Sequence, residues 1–382
     1  MKKNSKIFVA GGTGLVGSAI IKNLLEKGYS NIIANYHSGK PDTSAPVEWV
    51  GLDLTDPLDV TEFFGRYKPE YVFLAAAKVG GIVANNTYRA DFIYQNLQIQ
   101  NNVIHQSYLN GVKKLMFLGS TCIYPKECPQ PMKEEYLLTG ELEYTNEPYA
   151  IAKIAGIKMC ESYNLQHGTN YIAVMPTNLY GPNDNFDLEK SHVLPALIRK
   201  IHLGKALEEN DWDTIRTDLN NLPIEGITGE DSKEKILAIL AKYGIKNSPS
   251  SDSNSVQIEI WGSGKPMREF LWSEDMADAC VFLMENRDFK DTYLPDRREI
   301  RNTHINIGTG EDISIKELAK LIKKIIGFQG DFYYNVSKPD GTMKKLTDVS
   351  KLHALGWRHE VELDAGIEKL AKWYIDNQKE KS

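Results

Sequence analysis

"KIFVAGGTGLVGSAIIKNLLEKG", residues 6–28, carries three signals in one run. Ile7 to Ala10 form a short apolar stretch ending in glycine, which reads as a buried strand. Val16, Ile20 and Leu24 recur at helical spacing, and Gly28 stands where a left-handed helix cap belongs. Between strand and helix lie Gly11, Gly14 and Gly17, with Leu15 and Val16 opening the helix. A tight turn that lets the backbone approach a pyrophosphate at a helix N-terminus needs glycines at this register. A turn that holds no ligand explains three of them poorly. The run predicts the first βα unit of a dinucleotide-binding fold.

Working outward, "NIIAN", "YVFLAAA", "KLMFLGS" and "YIAVMP" are further buried-strand candidates separated by helical stretches. That alternation predicts an α/β fold, a doubly wound parallel (Rossmann) sheet over residues 1–180. Past Pro182 helices such as "SHVLPALIRKIHLG" and "DMADACVFLMEN" mix with short strands such as "VQIEIWG" and "THINIG". Residues 181–382 therefore read as a smaller α+β lobe, with a strand or two returning to the first sheet. Residues 205–255 are acidic and polar. They suggest one helix, with Asp231 and Glu234 as its capping box, Gly244 as its stop, and "SPSSDSNS" as a flexible return.

The 382 residues are 42% hydrophobic and 25% charged, within the globular range, and the formal net charge is −6. That balance gives no reason to expect nucleic acid or an anionic membrane as partner. Four cysteines (Cys122, Cys128, Cys160, Cys280) show no metal-binding spacing and read as reduced thiols. The basic start lacks the apolar stretch of a signal peptide, and no run approaches the roughly 20 apolar residues of a membrane span. A cytoplasmic protein is expected.

An NAD-preferring site usually carries an acid at the end of the second strand. "NIIANYHSGK" has none, and His37, Ser38 and Lys40 suit a 2′-phosphate instead, which favours NADP. In "GLDLTD", Asp53 and Leu54 suit an adenine, although Asp53 as a simple turn acid fits nearly as well.

For chemistry, "NEPYAIAKIAG" sets Tyr149 and Lys153 one helical turn apart. A nearby ammonium should lower the phenol's pKa and make it a usable proton donor. Ser120, at the end of the "KLMFLGS" strand, can hold the oxygen that Tyr149 protonates. This is the extended short-chain dehydrogenase/reductase arrangement.

The resemblance sharpens with "STCIYPKECPQPMKEEYLLTGELEYTNEPYAIAKIAGIKMCESYN", "AVMPTNLYGPNDNF", "SHVLPALIRK", "WGSGKPMREFLW" and "SKPDGTMKKLTDVSKLHALGW". From residue 6 to about 375, apart from 205–255, the chain resembles the GDP-L-fucose synthases, NADPH-dependent 3,5-epimerase/4-reductases of a GDP-4-keto-6-deoxy sugar. The resemblance implies that Cys122 and His192 exchange protons at the carbons flanking the keto group. Ala75, Ala76, Leu118, Pro176, Asn178, Leu179, Lys153 and His192 would then touch the cofactor. Lys200, Trp261, Arg268, Asp340 and Lys345 would hold the GDP-sugar, the three cations suiting a diphosphate. It also implies a homodimer built on helices around 86–108 and 149–166.

Two features depart from the pattern. Gly12–Thr13 stands where relatives often place an arginine near the 2′-phosphate, and 205–255 lies beside the substrate lobe. The latter leaves open a larger ketosugar, such as a GDP-4-ketoheptose. A same-fold alternative is a 4-reductase or 4-epimerase alone, with Cys122 and His192 retained but idle. A 4,6-dehydratase is disfavoured, since "STC" lacks the Asp–Glu pair such an enzyme needs. A non-catalytic NADP-binding scaffold is the reading from another class, and intact Ser120, Tyr149 and Lys153 argue against it.

Overall fold

A computed structural model describes residues 1–37, 41, 43–248, 255–296, 298–338 and 340–380. The chain divides into two compact units. The first comprises Met1–Asn183, Glu269–Glu311 and Leu346–Glu360; the second comprises Asp184–Arg268, Asp312–Lys345 and Val361–Ser382.

The first unit is organised by six strands in chain order: β1 (Ile7–Ala10), β2 (Ile32–Tyr36), β3 (Glu48–Gly51), β4 (Tyr71–Leu74), β5 (Lys114–Leu118) and β6 (Tyr171–Pro176). With a seventh strand, Ile305–Ile307, they form one parallel sheet. Its order is Ile305–Ile307, β6, β5, β4, β1, β2, β3. The strand "THINIG" thus returns from far along the chain to pair with β6, Ile305 opposite Val174. Alternation along β1 sends its side chains to two different cores. Ile7 and Val9 join helix α1 (Leu15–Glu26) and helix Ser273–Asn286. Phe8 and Ala10 join the layer of helices Pro57–Tyr67 and Glu147–His167. Both faces of the sheet are covered, which is why β1 and β4 at its centre read as unbroken apolar runs. Gly28 has φ 80° just past α1, as the cap position requires.

In the second unit, residues 205–255 are a packed part of the fold. A helix unread in the sequence, Trp212–Asn221, is capped by Asp211 accepting from Thr214 N. It is tied in by a fully buried ion pair, Arg199–Asp218 at 2.8 Å, and Tyr374 also donates to Asp218. The second helix, Lys233–Lys242, corrects the expected cap. Ser232 is its N-cap, accepting from Lys235 N, while Asp231 accepts from Thr228 N one turn earlier. Gly244 does follow the helix with φ 80°. Of the expected flexible return, 248–255, residues 249–254 lie outside the described residues, and at its ends Ser248 N donates to Ser255 O at 2.7 Å. Strands Ile245–Asn247, Val256–Trp261 and Asp331–Asn335 form one small sheet; Met267–Arg268, Ile313–Ser314 and Lys344–Lys345 form another. Among the described residues no helix is long and apolar enough to cross a membrane.

Candidate active site

The glycine turn is built as the sequence requires. Gly11 sits at φ 86°, and a Cβ there would lie 2.8 Å from the Ala76 backbone. A Cβ on Gly17 would come within 2.0 Å of the Gly11 carbonyl oxygen, so turn and helix can close only around glycines. Gly14 is different: it is exposed, and a Cβ would meet only the Gly11 oxygen, at 3.6 Å. It caps α1 with no side-chain acceptor, so the first-turn N–H groups remain for an anionic ligand. An open cradle over uncapped amides fits a dinucleotide pyrophosphate.

Asn35 was missed by sequence reading. It is 3% exposed within β2. Its Oδ1 accepts from Gly11 N at 2.7 Å, its Nδ2 donates to Leu52 O at 3.0 Å, and its carbonyl accepts from Gly12 N at 3.1 Å. A lone amide in an otherwise apolar strand was the available signal.

Of the two residues expected to meet an adenine, Leu54 is buried. Asp53 spends one carboxylate oxygen on Thr55, accepting from its N–H at 2.8 Å and its hydroxyl at 2.7 Å. Those bonds hold its carboxyl below the usual range. Its other oxygen lies 3.9 Å from the exposed His37. Ser38 and Lys40 lie outside the described residues.

The strand ends bring the expected chemical groups together. β5 ends at Leu118, and Ser120 caps a short 3₁₀ turn, Thr121–Ile123, accepting from Cys122 N at 3.3 Å. That turn holds Cys122, two residues beyond the serine, at the same strand end. Helix Glu147–His167 supplies Tyr149 and Lys153. Lys153 is 3% exposed, donates to Leu118 O at 2.8 Å, and stands 5.7 Å from the Tyr149 ring centre. The Tyr149 ring also meets Phe92 edge-on at 6.4 Å.

The electrostatics differ from expectation. Burial pushes the Tyr149 phenol above its ordinary value, and charge on Cys122 adds to this; the Ser120 hydrogen bond pulls the other way. Burial brings Lys153 down to about 8, against an opposing attraction from Cys122. The group that eases ionisation of the phenol here is Ser120, not Lys153. Tyr149 is therefore fully protonated near neutrality, the form an acid needs, while Lys153 remains mostly ammonium.

The residues expected to touch a cofactor follow the same sheet edge. Ala75 continues from β4, with its N–H on Ala10 O at 3.0 Å. Pro176 ends β6, and strand Asn178–Tyr180 pairs parallel with Phe270–Trp272, placing Asn178 opposite Phe270 and Leu179 opposite Leu271.

The remaining candidates belong to the second unit. His192 is the exposed N-cap of helix Val193–Glu208. Lys200 donates to Glu259 O at 3.0 Å, and burial brings it down to about 8. Trp261 is 60% exposed, with Lys338 Nζ 5.1 Å over its ring. Asp340 accepts from Ser263 N at 2.8 Å and Ser263 Oγ at 2.7 Å, which orients its carboxylate. Arg268 and Lys345 are direct partners on neighbouring parallel strands. Burial also lowers the Arg268 guanidinium, whose Nη1 donates to the Met267 and Thr342 carbonyls.

A family model described as the NAD dependent epimerase/dehydratase family matches residues 7–220 and 225–308. GDP-L-fucose synthase 1 of Arabidopsis thaliana is 47% identical over 375 residues, covering 98% of this chain and 94% of that protein. A GDP-6-OMe-4-keto-L-xylo-heptose reductase from C. jejuni superimposes with TM-score 0.86 at 46% identity, covering 99% of each chain. A GDP-D-glycero-L-gluco-heptose synthase from Campylobacter jejuni, solved in the presence of NADPH, gives TM-score 0.81 at 45% identity over 98% of each. The chain belongs to the NAD dependent epimerase/dehydratase family, in the group that contains the GDP-L-fucose synthases.

Proposed function

We propose that the protein carries out NADPH-dependent 3,5-epimerisation and 4-reduction of a GDP-4-keto-6-deoxy sugar. The observation that carries this reading is the convergence of Ser120, Cys122, Tyr149 and Lys153 at the end of β5, on the same edge of the parallel sheet as the uncapped glycine turn. The turn of Gly11, Gly14 and Gly17 would hold the pyrophosphate of NADPH, which would supply the hydride for C4. Ser120 holds the 4-oxygen, and Tyr149 gives it a proton as charge develops there. Lys153, anchored on the Leu118 carbonyl, keeps a positive charge near the phenol. Cys122 and His192 take and return the protons on the carbons flanking the ketone. Arg268, Lys345 and Lys200 neutralise the diphosphate, and Trp261 offers an exposed aromatic face for stacking. The test is NADPH absorbance on adding GDP-4-keto-6-deoxymannose, in ordinary and deuterated buffer. Absorbance that stays constant at catalytic enzyme concentration overturns the reading.

A second substrate, a GDP-4-ketoheptose, is favoured by the two heptose-processing structures at 45–46% identity. Running both ketosugars in the same assay ranks them by kcat/KM.

The protein is further proposed to be a homodimer. Helices Arg89–Leu109 and Glu147–His167 lie in the layer over one sheet face. They still expose Tyr94, Leu109, Ile151 and Leu165, an apolar set suited to a second copy of the same pair. Sedimentation at micromolar concentration is expected to give a dimer, and only monomer there refutes it.

A further inference from the structure

Glu269 is 0% exposed and lies outside every residue set discussed above. One carboxylate oxygen accepts from Thr309 N at 2.7 Å, Gly310 N at 2.8 Å and Thr309 Oγ1 at 3.4 Å. The other accepts from Thr347 N at 2.9 Å and Thr347 Oγ1 at 2.7 Å. A carboxylate is acceptor-only, and every partner here is a donor, so the match is complete in the ionised form. The packing around it is close. A Cβ on Gly308 would lie 2.2 Å from Glu269 Oε1 and 2.3 Å from Thr347 Oγ1.

The placement of this cluster along the chain gives it a role. Glu269 directly follows Arg268, and Thr347 stands two residues after Lys345. Arg268 and Lys345 are paired on strands of only two residues each, Met267–Arg268 and Lys344–Lys345. Strands so short have few ladder bonds of their own to hold register, and a slip of one residue turns a side chain to the opposite face. The Glu269–Thr347 bonds lock the two chains just downstream of that pair.

We propose that Glu269 is a positioning residue: by holding Thr347, it fixes the register that sets Arg268 beside Lys345 and so shapes the diphosphate site. This rests on the GDP-sugar reading above, because it specifies how that reading's cation pair is held. The main-chain oxygen of Glu269 accepts separately from Asn178 Nδ2 at 2.8 Å and Thr177 Oγ1 at 3.4 Å, and side-chain substitution leaves that acceptor in place. The cofactor wall should therefore be spared.

The experiment measures dissociation constants for GDP and for NADPH by calorimetry on wild type, Glu269→Gln, Thr347→Val and Thr347→Ser. A glutamine amide must turn its NH2 toward one set of donors, so Glu269→Gln is expected to weaken GDP by about tenfold or more. NADPH should stay within about twofold, since no hydrogen bond to its wall is removed. Thr347→Val loses one hydroxyl bond and should weaken GDP by a few fold, while Thr347→Ser keeps that bond and should bind GDP as wild type does. Thr347→Val carries the test if Glu269→Gln fails to fold. Unchanged GDP affinity in Glu269→Gln or Thr347→Val, with or without a lower melting temperature, makes the cluster merely structural and overturns the positioning role alone. Equal weakening of GDP and NADPH also overturns it. Wild type that does not bind GDP at all sinks the GDP-sugar reading, and the proposal with it.

Discussion

Tyr149→Phe is expected to lower ketosugar reduction by about 10²–10⁴-fold, the range that loss of a positioned general acid produces. NADPH affinity should hardly change. The substitution removes one oxygen from a half-buried ring and leaves its edge-on contact with Phe92 intact. The lost hydrogen bond from Ser120 costs about 1 kcal/mol, too little to unfold the protein. Because burial keeps the phenol protonated, wild-type activity should not require ionisation of Tyr149 near neutral pH. Single-turnover oxidation of bound NADPH checks this, and a rate near wild type removes Tyr149 from the chemistry.

The βα unit, the strand-end serine and the Tyr–Lys pair were legible because each is a local signal. Glycine spacing, period and a four-residue step are all properties of a few adjacent residues. The residues that hold these groups were not legible, since their partners are remote in sequence. Asn35 grips the glycine turn from 24 positions away, and Glu269 reaches Thr347 across 78. Strand Ile305–Ile307 reads as apolar, but nothing in three residues states that it will pair with β6. Helix Trp212–Asn221 was hidden for a different reason. Its mean composition is polar, and only Ile215 and Leu219 carry the apolar step, while the buried Asp218 looked like one more surface acid. The misplaced cap at Asp231 shows how two adjacent cap-competent residues compete; backbone geometry chose Ser232 and left Asp231 to its own turn. The electrostatic error had the same root as the missed anchors. A sequence places Lys153 one turn from Tyr149 but does not state how the surroundings act on each, and desolvation raises the phenol and lowers the ammonium.

Cys122→Ser should separate the two reactions. Cys122 is 7% exposed and its N–H donates to Ser120 Oγ, so the thiol is held within the same turn as the serine. Exchanging sulfur for oxygen there keeps the side chain's shape and removes its acidity. A serine hydroxyl is a poor base and a poor donor at pH 7. Epimerisation should fall by at least about 10²-fold, the usual weight of one acid–base group. Ser120, Tyr149 and Lys153 are untouched, so hydride transfer to the unepimerised ketosugar should continue, giving product with the starting configuration at the flanking carbons. His192→Asn should fail at the same step. Asparagine is a favoured N-cap, so helix Val193–Glu208 keeps its start and the loss reports on the imidazole. In deuterated buffer the wild type should place label at both carbons beside the ketone, and Cys122→Ser should not. Label entering the variant's product at the wild-type rate would make Cys122 a packed thiol and assign the proton exchange to another group.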